Sequence, residues 1–245
     1  MMKLLSTLSF SFAKEKSRMN EDSILPLKFL DDGFLMAVAD GVGSYSGAEV
    51  ISEEVIKTLN EVTSLELLNQ TSDIFYKLNN KLNELALKDK RLSEAATTLT
   101  FCYLNSSGLL VGHIGDCRLY IQNGVKLKQL TKDHTKHQLL IDQKIYSAKQ
   151  LRDLPGKNIL TKAISLRVPL EPDVFFIPLN ELPKNNQKMT LYIMSDGAHH
   201  FWEKRPKFSE NTMNNLVKFT NGLFRRIEKN GPTDDYSLVG AEFKL

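Results

Sequence analysis

Residues 96–130 read ATTLTFCYLNSSGLLVGHIGDCRLYIQNGVKLKQL. Four apolar stretches, 96–104, 108–115, 117–122 and 125–130, are separated by short polar breaks, among them the turn sequences Asn105-Ser106-Ser107-Gly108 and Asn123-Gly124. Asn-Gly between apolar stretches is a two-residue hairpin signal, because both residues tolerate the positive φ that such a turn demands. Strands joined this tightly pair antiparallel, since a parallel pair needs a crossover of a dozen residues or more. The segment therefore predicts a β-meander.

Toward the N-terminus, Leu8, Phe10 and Phe12 alternate with serines at strand period, and a strand pair over 27–30 and 34–39 is joined by Asp31-Asp32-Gly33. Helices are expected over about 47–59 and 71–88; in the second, Ile74, Leu78, Leu82 and Leu85 form one apolar stripe. Toward the C-terminus, 131–165 is polar and mixed, a short helix and a loop. Strands return at 174–177 and 191–194, 209–229 reads as a helix, and 236–243 as a closing strand. Strands and helices arrive in batches instead of strict alternation, which predicts an α+β class of antiparallel sheets covered by helices. No repeat or linker divides the chain, so residues 1–245 are expected to form a single domain.

With 42% hydrophobic and 25% charged residues the chain has the composition of a folded protein with a sizeable core, not of a disordered or fibrous one. No uninterrupted apolar run approaches the roughly 20 residues of a membrane-spanning helix. Met1-Met2-Lys3-Leu4-Leu5 resembles the opening of a secretory signal, but serines interrupt the apolar run from Ser6 to Ser11, and no signal peptide is expected. Basic residues, 32 against 29 acidic, are mixed along the chain, so the net charge of +3 gives no footprint for nucleic acid. Two cysteines, Cys102 and Cys117, are too few for a disulfide framework or a zinc cluster and fit a reducing cytoplasmic setting.

The chemistry-bearing pattern is acidic. Asp40 closes the run 34–39 and precedes Gly41; Asp196 closes 191–195 and precedes Gly197; Asp116 ends 109–115; Asp234 and Asp235 stand before the last strand. Asn20-Glu21-Asp22 also lies between expected strands. Carboxylates at several strand ends can converge on one rim of a sheet, where they repel one another unless hard cations such as Mg²⁺ or Mn²⁺ neutralise them. Asp-Gly after a strand is also ordinary turn chemistry, and spacing alone leaves both readings open.

The segments Asn20-Glu21-Asp22-Ser23, Ala39-Asp40-Gly41-Val42-Gly43, Gly115-Asp116-Cys117-Arg118, Ser195-Asp196-Gly197 and Asp234-Asp235-Tyr236-Ser237 resemble, in order and spacing, the motifs of the PPM/PP2C family of metal-dependent protein serine/threonine phosphatases. The stretches 47–52, 130–135 and 158–164 are similar to bacterial members, so the resemblance spans nearly the whole chain. It implies a β-sandwich of two antiparallel sheets flanked by helices. It also implies that Asp40 bridges two Mn²⁺ or Mg²⁺ ions with help from the Gly41 carbonyl, that Asp196 and Asp234 ligate the other ion, and that Glu21 and Asp22 act through water. A bridging water activated by the two cations would attack phosphorus, with no Cys, Ser or His nucleophile.

Departures from the family pattern shape what the resemblance implies. The arginine that binds phosphate usually stands where this chain has Ser17, with Arg18 and Lys16 on either side as candidates. A third metal site would use Asp116, Asp196 and, where an acid is usual, His200, which leaves that site weak or altered. Val42 stands where eukaryotic relatives carry a histidine, and Asp235 replaces the usual asparagine. Arg118 is expected to orient nearby carboxylates, Cys102, Cys117, His113, His134 and His137 to be structural, His199 and His200 to lie beside the site, and 134–157 to form a flap. The expected function is hydrolysis of phosphoserine and phosphothreonine in proteins, opposing a serine/threonine kinase, with no nucleic acid or membrane partner. A degenerate phosphoprotein-binding or regulatory module is the competing reading.

Overall fold

In the strand Gly33–Asp40, Leu35, Ala37 and Ala39 pack into one core and Met36 and Val38 into another, and all five are buried. A strand covered on both faces reads as a continuous apolar run instead of an alternating one, and this burial fixes the layering of the protein. The computed structural model describes residues 2–42, 47–151 and 154–245. Gly43 of the 39–43 motif and residues 152–153 of the expected flap lie outside the described residues.

The elements in chain order are β1 (Lys3–Phe12), β2 (Asp22–Leu30), β3 (Gly33–Asp40), α1 (Ala48–Asn60), α2 (Leu65–Asn69), α3 (Thr71–Lys88), a 3-10 turn (Lys90–Glu94), β4 (Ala96–Thr97), β5 (Leu99–Leu104), β6 (Gly108–Ile114), β7 (Arg118–Asn123), β8 (Lys126–Gln129), α4 (Lys136–Asp142), α5 (Ala148–Leu151), β9 (Ile164–Ser165), β10 (Asp173–Pro178), β11 (Lys188–Met194), α6 (Asp196–Lys204), α7 (Glu210–Met213), α8 (Leu216–Asn230) and β12 (Tyr236–Lys244). Two five-stranded antiparallel sheets result, ordered β1-β12-β11-β7-β8 and β10-β6-β5-β3-β2, with a small β4–β9 pair beside them.

Between the sheets lie Met36, Val38, Cys102 and Val111 from one side and Leu119, Ile193, Val239 and Phe243 from the other. The outer face of the β3 sheet packs Leu35 and Phe101 on Ile51, Val55, Phe75 and Leu78 of α1 and α3. The outer face of the β12 sheet packs Tyr192 and Leu238 on Phe201, Trp202, Phe219 and Leu223 of α6 and α8. Each such side chain contributes about 1.5–3 kcal/mol when fully buried. The expected α+β sandwich flanked by helices is the observed architecture.

The meander expected over 96–130 is divided between the sheets. β6 pairs with β5 in one sheet and β7 with β8 and β11 in the other, so the chain changes sheets at Gly115-Asp116-Cys117. Gly115 permits this turn: its φ is +103°, and a Cβ there would overlap the Thr98 side chain. The helix expected over 209–229 is two helices, because Asn215 caps α8 by accepting the Lys218 amide at 2.9 Å. Helix α6, to which the sequence reading assigned no element, runs for nine residues from Asp196.

Candidate active site

Antiparallel pairing brings the acidic strand ends to one end of the sandwich. Asp22 opens β2 and Asp40 closes β3, and the two are direct partners in the ladder. Asp116 sits in the turn between sheets, Asp196 is the first residue of α6 just beyond β11, and Asp234 precedes β12, the ladder partner of β11. Both glycines of the Asp-Gly pairs serve close packing. A Cβ on Gly41 would lie 2.7 Å from the Glu21 carbonyl oxygen and 2.8 Å from that of Ala48, and one on Gly197 would overlap the Asp235 carbonyl. These glycines let Glu21 approach Asp40, and α6 approach the Asp234-Asp235 segment.

The carboxylates line a cleft of two adjoining lobes that share Asp116, Asn158, Asp196 and Asp234. One lobe, about 300 Å³, adds Lys14, Arg18, Glu21, Asp40, Gly41 and Thr98. The other, about 320 Å³, adds Asp133, Lys157, His199, His200 and Thr233. Among the described residues, five carboxylates meet two cations in the first lobe, a balance that favours an anionic substrate only with further positive charge.

Burial and mutual repulsion dominate the electrostatics. Burial pushes Asp22 up to about 8, and burial followed by Asp22, Asp196 and Asp116 holds Asp40 well above the usual carboxylate range. Burial, then Asp234, raises Asp196 to about 6; burial, then Asp196, raises Asp116. Glu21 is raised by burial against the lowering pull of Arg18. Such groups release their protons readily only when a cation replaces them.

Beneath the cleft, Ser195 Oγ donates to Asp22 Oδ2 at 2.7 Å and accepts the Ser237 amide at 2.9 Å. Asp22 Oδ1 is buried with no hydrogen-bond partner among the described residues, an orphan of the kind that a bound cation or its water satisfies. The donor set is hard oxygen throughout, which suits Mg²⁺ or Mn²⁺. Among the described residues no three His, Cys, Asp or Glu side chains already close around one point. The acids form an open rim, as expected for ions that keep several waters and bind through one or two carboxylates each.

Of the residues singled out from sequence, Glu21, Asp40, Gly41, Asp116, Asp196 and Asp234 line the cleft, and Asp22 lies under it at 5% exposure. Arg18 also lines it, carried by a loop turn in which its amide bonds the Glu15 carbonyl at 3.0 Å. Lys16 is exposed and lines neither lobe. Asp235 neither meets solvent nor faces the cleft: at 4% exposure it accepts the amides of Lys14 and Glu21.

Two histidines brace the Asp116 turn. His199 Nε2 donates to the Asp116 carbonyl at 3.1 Å, and His134 Nδ1 accepts the Gly115 amide at 3.2 Å while its Nε2 faces Asp173. His200 lines the second lobe, as expected of a residue at the third-site position. Arg118 pairs with Asp133 through two bonds, 2.8 and 2.6 Å, which orients that carboxylate. Cys117 is buried beside Thr98 Oγ1, and burial raises its thiol well above the range of a nucleophile. Near the base of the expected flap segment Thr135 bridges Leu160, and Lys157 and Asn158 line the cleft.

Lys14, Lys157, Asn158 and Ser195 were missed as functional candidates. Ser195, as the residue before Asp196, and Asn158, as the first residue of the 158–164 stretch, carried a signal.

The sequence profile of the family described as Protein phosphatase 2C matches residues 13–238. The serine/threonine phosphatase Stp of Listeria welshimeri is 28% identical over 187 residues, 73% of this chain and 71% of that protein. Stp1 of Staphylococcus aureus superposes with a TM-score of 0.80 at 19% identity, covering 98% of this chain and 95% of the other. The catalytic domain of the phosphatase PstP, crystallised with two manganese ions, gives 0.77 at 22% identity with full coverage of both chains. The two structural likenesses show the fold; the profile, spanning most of the chain and its acidic motifs, shows the lineage. The chain belongs to the protein phosphatase 2C family.

Proposed function

We propose that this chain is a metal-dependent phosphatase that removes phosphate from phosphoserine and phosphothreonine in proteins. The observation that carries the reading is the convergence of Glu21, Asp40, Asp116, Asp196 and Asp234 on one cleft over the unpartnered Oδ1 of Asp22. In it, Asp40 with the Gly41 carbonyl, Asp196 and Asp234 would hold two divalent cations, Glu21 and Asp22 would hold their water, and Asp116, Asp196 and His200 would offer a weaker third place. Bound there, the cations lower the pKa of water for in-line attack on phosphorus and neutralise the phosphate oxygens. Arg18 takes the phosphate through its guanidinium fork. The names of the curated relatives support a phosphoprotein substrate, and a serine/threonine kinase is the natural opposing activity.

The displaced arginine and His200 would fit a non-catalytic module, whereas Arg18 lining the lobe supports the catalytic reading. Pairing of β1 with β12 ties the two ends of the chain together and supports one catalytic domain. Among the described residues no helix is long and apolar enough to cross a membrane; a cytoplasmic setting belongs to the proposal. The test is phosphate release from a phosphothreonine peptide with Mn²⁺ and with a chelator. Release only with metal supports the reading; no release at any Mn²⁺ or Mg²⁺ concentration overturns it.

A further inference from the structure

Both carboxylate oxygens of Asp235 are engaged by one loop. Oδ1 accepts the Lys14 amide and Oδ2 the Glu21 amide, each at 2.7 Å. Residues 14–21 are therefore pinned at both ends by a single buried side chain. The loop carries Arg18, and Lys14 lines the same lobe as Arg18, Asp40 and Gly41. Among the described residues, Lys14 and Arg18 are the two cations that line that lobe. Arg18 Nη2 is 3.6 Å from Glu21 Oε2, so part of its charge is answered before a substrate arrives. Among the described residues the Lys14 ammonium has no carboxylate within ion-pair distance. An asparagine at 235 could not make this clamp: it has one acceptor oxygen, and its NH₂ would face a backbone N–H, donor against donor.

We propose that Asp235 is the positioning residue that clamps residues 14–21 so that Lys14 shares the substrate phosphate with Arg18. The inference rests on the phosphatase reading above. An ammonium is a compact point charge with three donors, and a guanidinium is a planar fork, so the two engage different oxygens of one phosphate. Together they supply the protein's own positive charge in a lobe where carboxylates otherwise dominate.

The test is a double-mutant cycle of wild type, Lys14→Met, Asp235→Asn and the double variant in Mn²⁺. It reads kcat and KM on p-nitrophenyl phosphate, the inhibition constant of inorganic phosphate, and Mn²⁺ affinity by calorimetry. Lys14→Met is expected to raise KM and the phosphate inhibition constant about tenfold, with Mn²⁺ affinity unchanged. Asp235→Asn raises both by a similar factor, and in that background Lys14→Met adds less than about twofold, because the clamp that aims the lysine is already lost. An unchanged phosphate inhibition constant in Lys14→Met overturns the proposal, as do fully multiplicative effects in the double variant. If Asp235→Asn does not melt cooperatively, the cycle is run with Asp235→Ser, which keeps one acceptor. Absence of turnover in the wild type would count against the phosphatase reading instead. Calorimetric titration of phosphate into the Mn²⁺-loaded proteins then still decides the clamp, with the same expected and opposing results.

Discussion

Asp22 and Asp40 stand opposite one another in the β2–β3 ladder, two carboxylates at a position where like charges destabilise a sheet. Without a cation the pair is relieved by protons, and Asp22 rises from 3.8 to about 8. The folded protein thus binds that proton more tightly than the unfolded chain. The associated stability is fully present below about pH 4 and is lost as pH rises toward 8, with Asp196, raised to about 6, adding to the loss. Melting of the chelated protein is expected to fall over that window and to recover with Mn²⁺, the recovery growing with pH. Even a tenfold difference in proton affinity between folded and unfolded chains, about 1.4 kcal/mol, moves the midpoint of a chain this size by about 3–5 °C. A chelated protein that melts at the same temperature at pH 5 and pH 8 would show that the rim carries no such repulsion.

Gly197 meets the backbone of Asp235, which cannot move aside as a flexible side chain would. Gly197→Ala should cost about 1–3 kcal/mol and weaken Mn²⁺ binding, because α6 carries Asp196 away from Asp234. Gly222→Ala is the control: in α8 its added carbon meets only the Phe208 ring at 3.3 Å, and alanine favours helix. Chemical denaturation of both variants with calorimetric Mn²⁺ titration reads the difference, and equal stabilities would refute the packing role.

Ser195 satisfies one oxygen of Asp22 and the Ser237 amide at once. Ser195→Ala strands the buried Ser237 amide and removes a hydrogen bond from the buried Asp22 carboxyl, at a cost of about 1.5–3 kcal/mol. The loss should shrink when Mn²⁺ is bound, since the cation's water then serves the other Asp22 oxygen. Denaturation midpoints with and without metal test this; a loss independent of metal would place Asp22 outside the ion's reach.

Arg18 lines the lobe while Lys16 does not, so Arg18→Ala should raise KM about tenfold and Lys16→Ala leave it within about twofold. Steady-state kinetics on one phosphopeptide separates them. A raised KM in Lys16→Ala alone would transfer the phosphate to the lysine.

The sheets and long helices were legible because Leu35 to Ala39 form an unbroken apolar run and Ile74, Leu78 and Leu82 recur at helical spacing. So were Asp40, Asp116 and Asp196, each marked by an apolar run that ends in an acid, and Asp234, which stands just before the last strand. What was illegible depended on contacts distant in sequence. The change of sheets at Asp116 depends on the packing of Gly115 on Thr98, and no local pattern announces it. Helix α6 begins in Asp-Gly, turn chemistry by any local reading, and is held by Phe201 and Trp202 against Phe219 of α8. Lys14 looked like any solvated lysine, and only the bond from its amide to Asp235, 221 residues away, shows that its loop is pinned at the cleft.

The most direct test of the metal-held phosphatase site is the kcat/KM of Asp40→Asn against wild type on a phosphothreonine peptide at saturating Mn²⁺, with folding checked by circular dichroism. Asp40 lines the first lobe beside the acids that the two lobes share, and burial with its neighbouring carboxylates already makes its charge dependent on a cation. Loss of its ligand oxygen removes several kcal/mol of transition-state stabilisation, so the expected result is a folded protein whose kcat/KM falls at least about a thousandfold. Turnover within about tenfold of wild type would contradict the assignment of the carboxylate rim as the catalytic metal site.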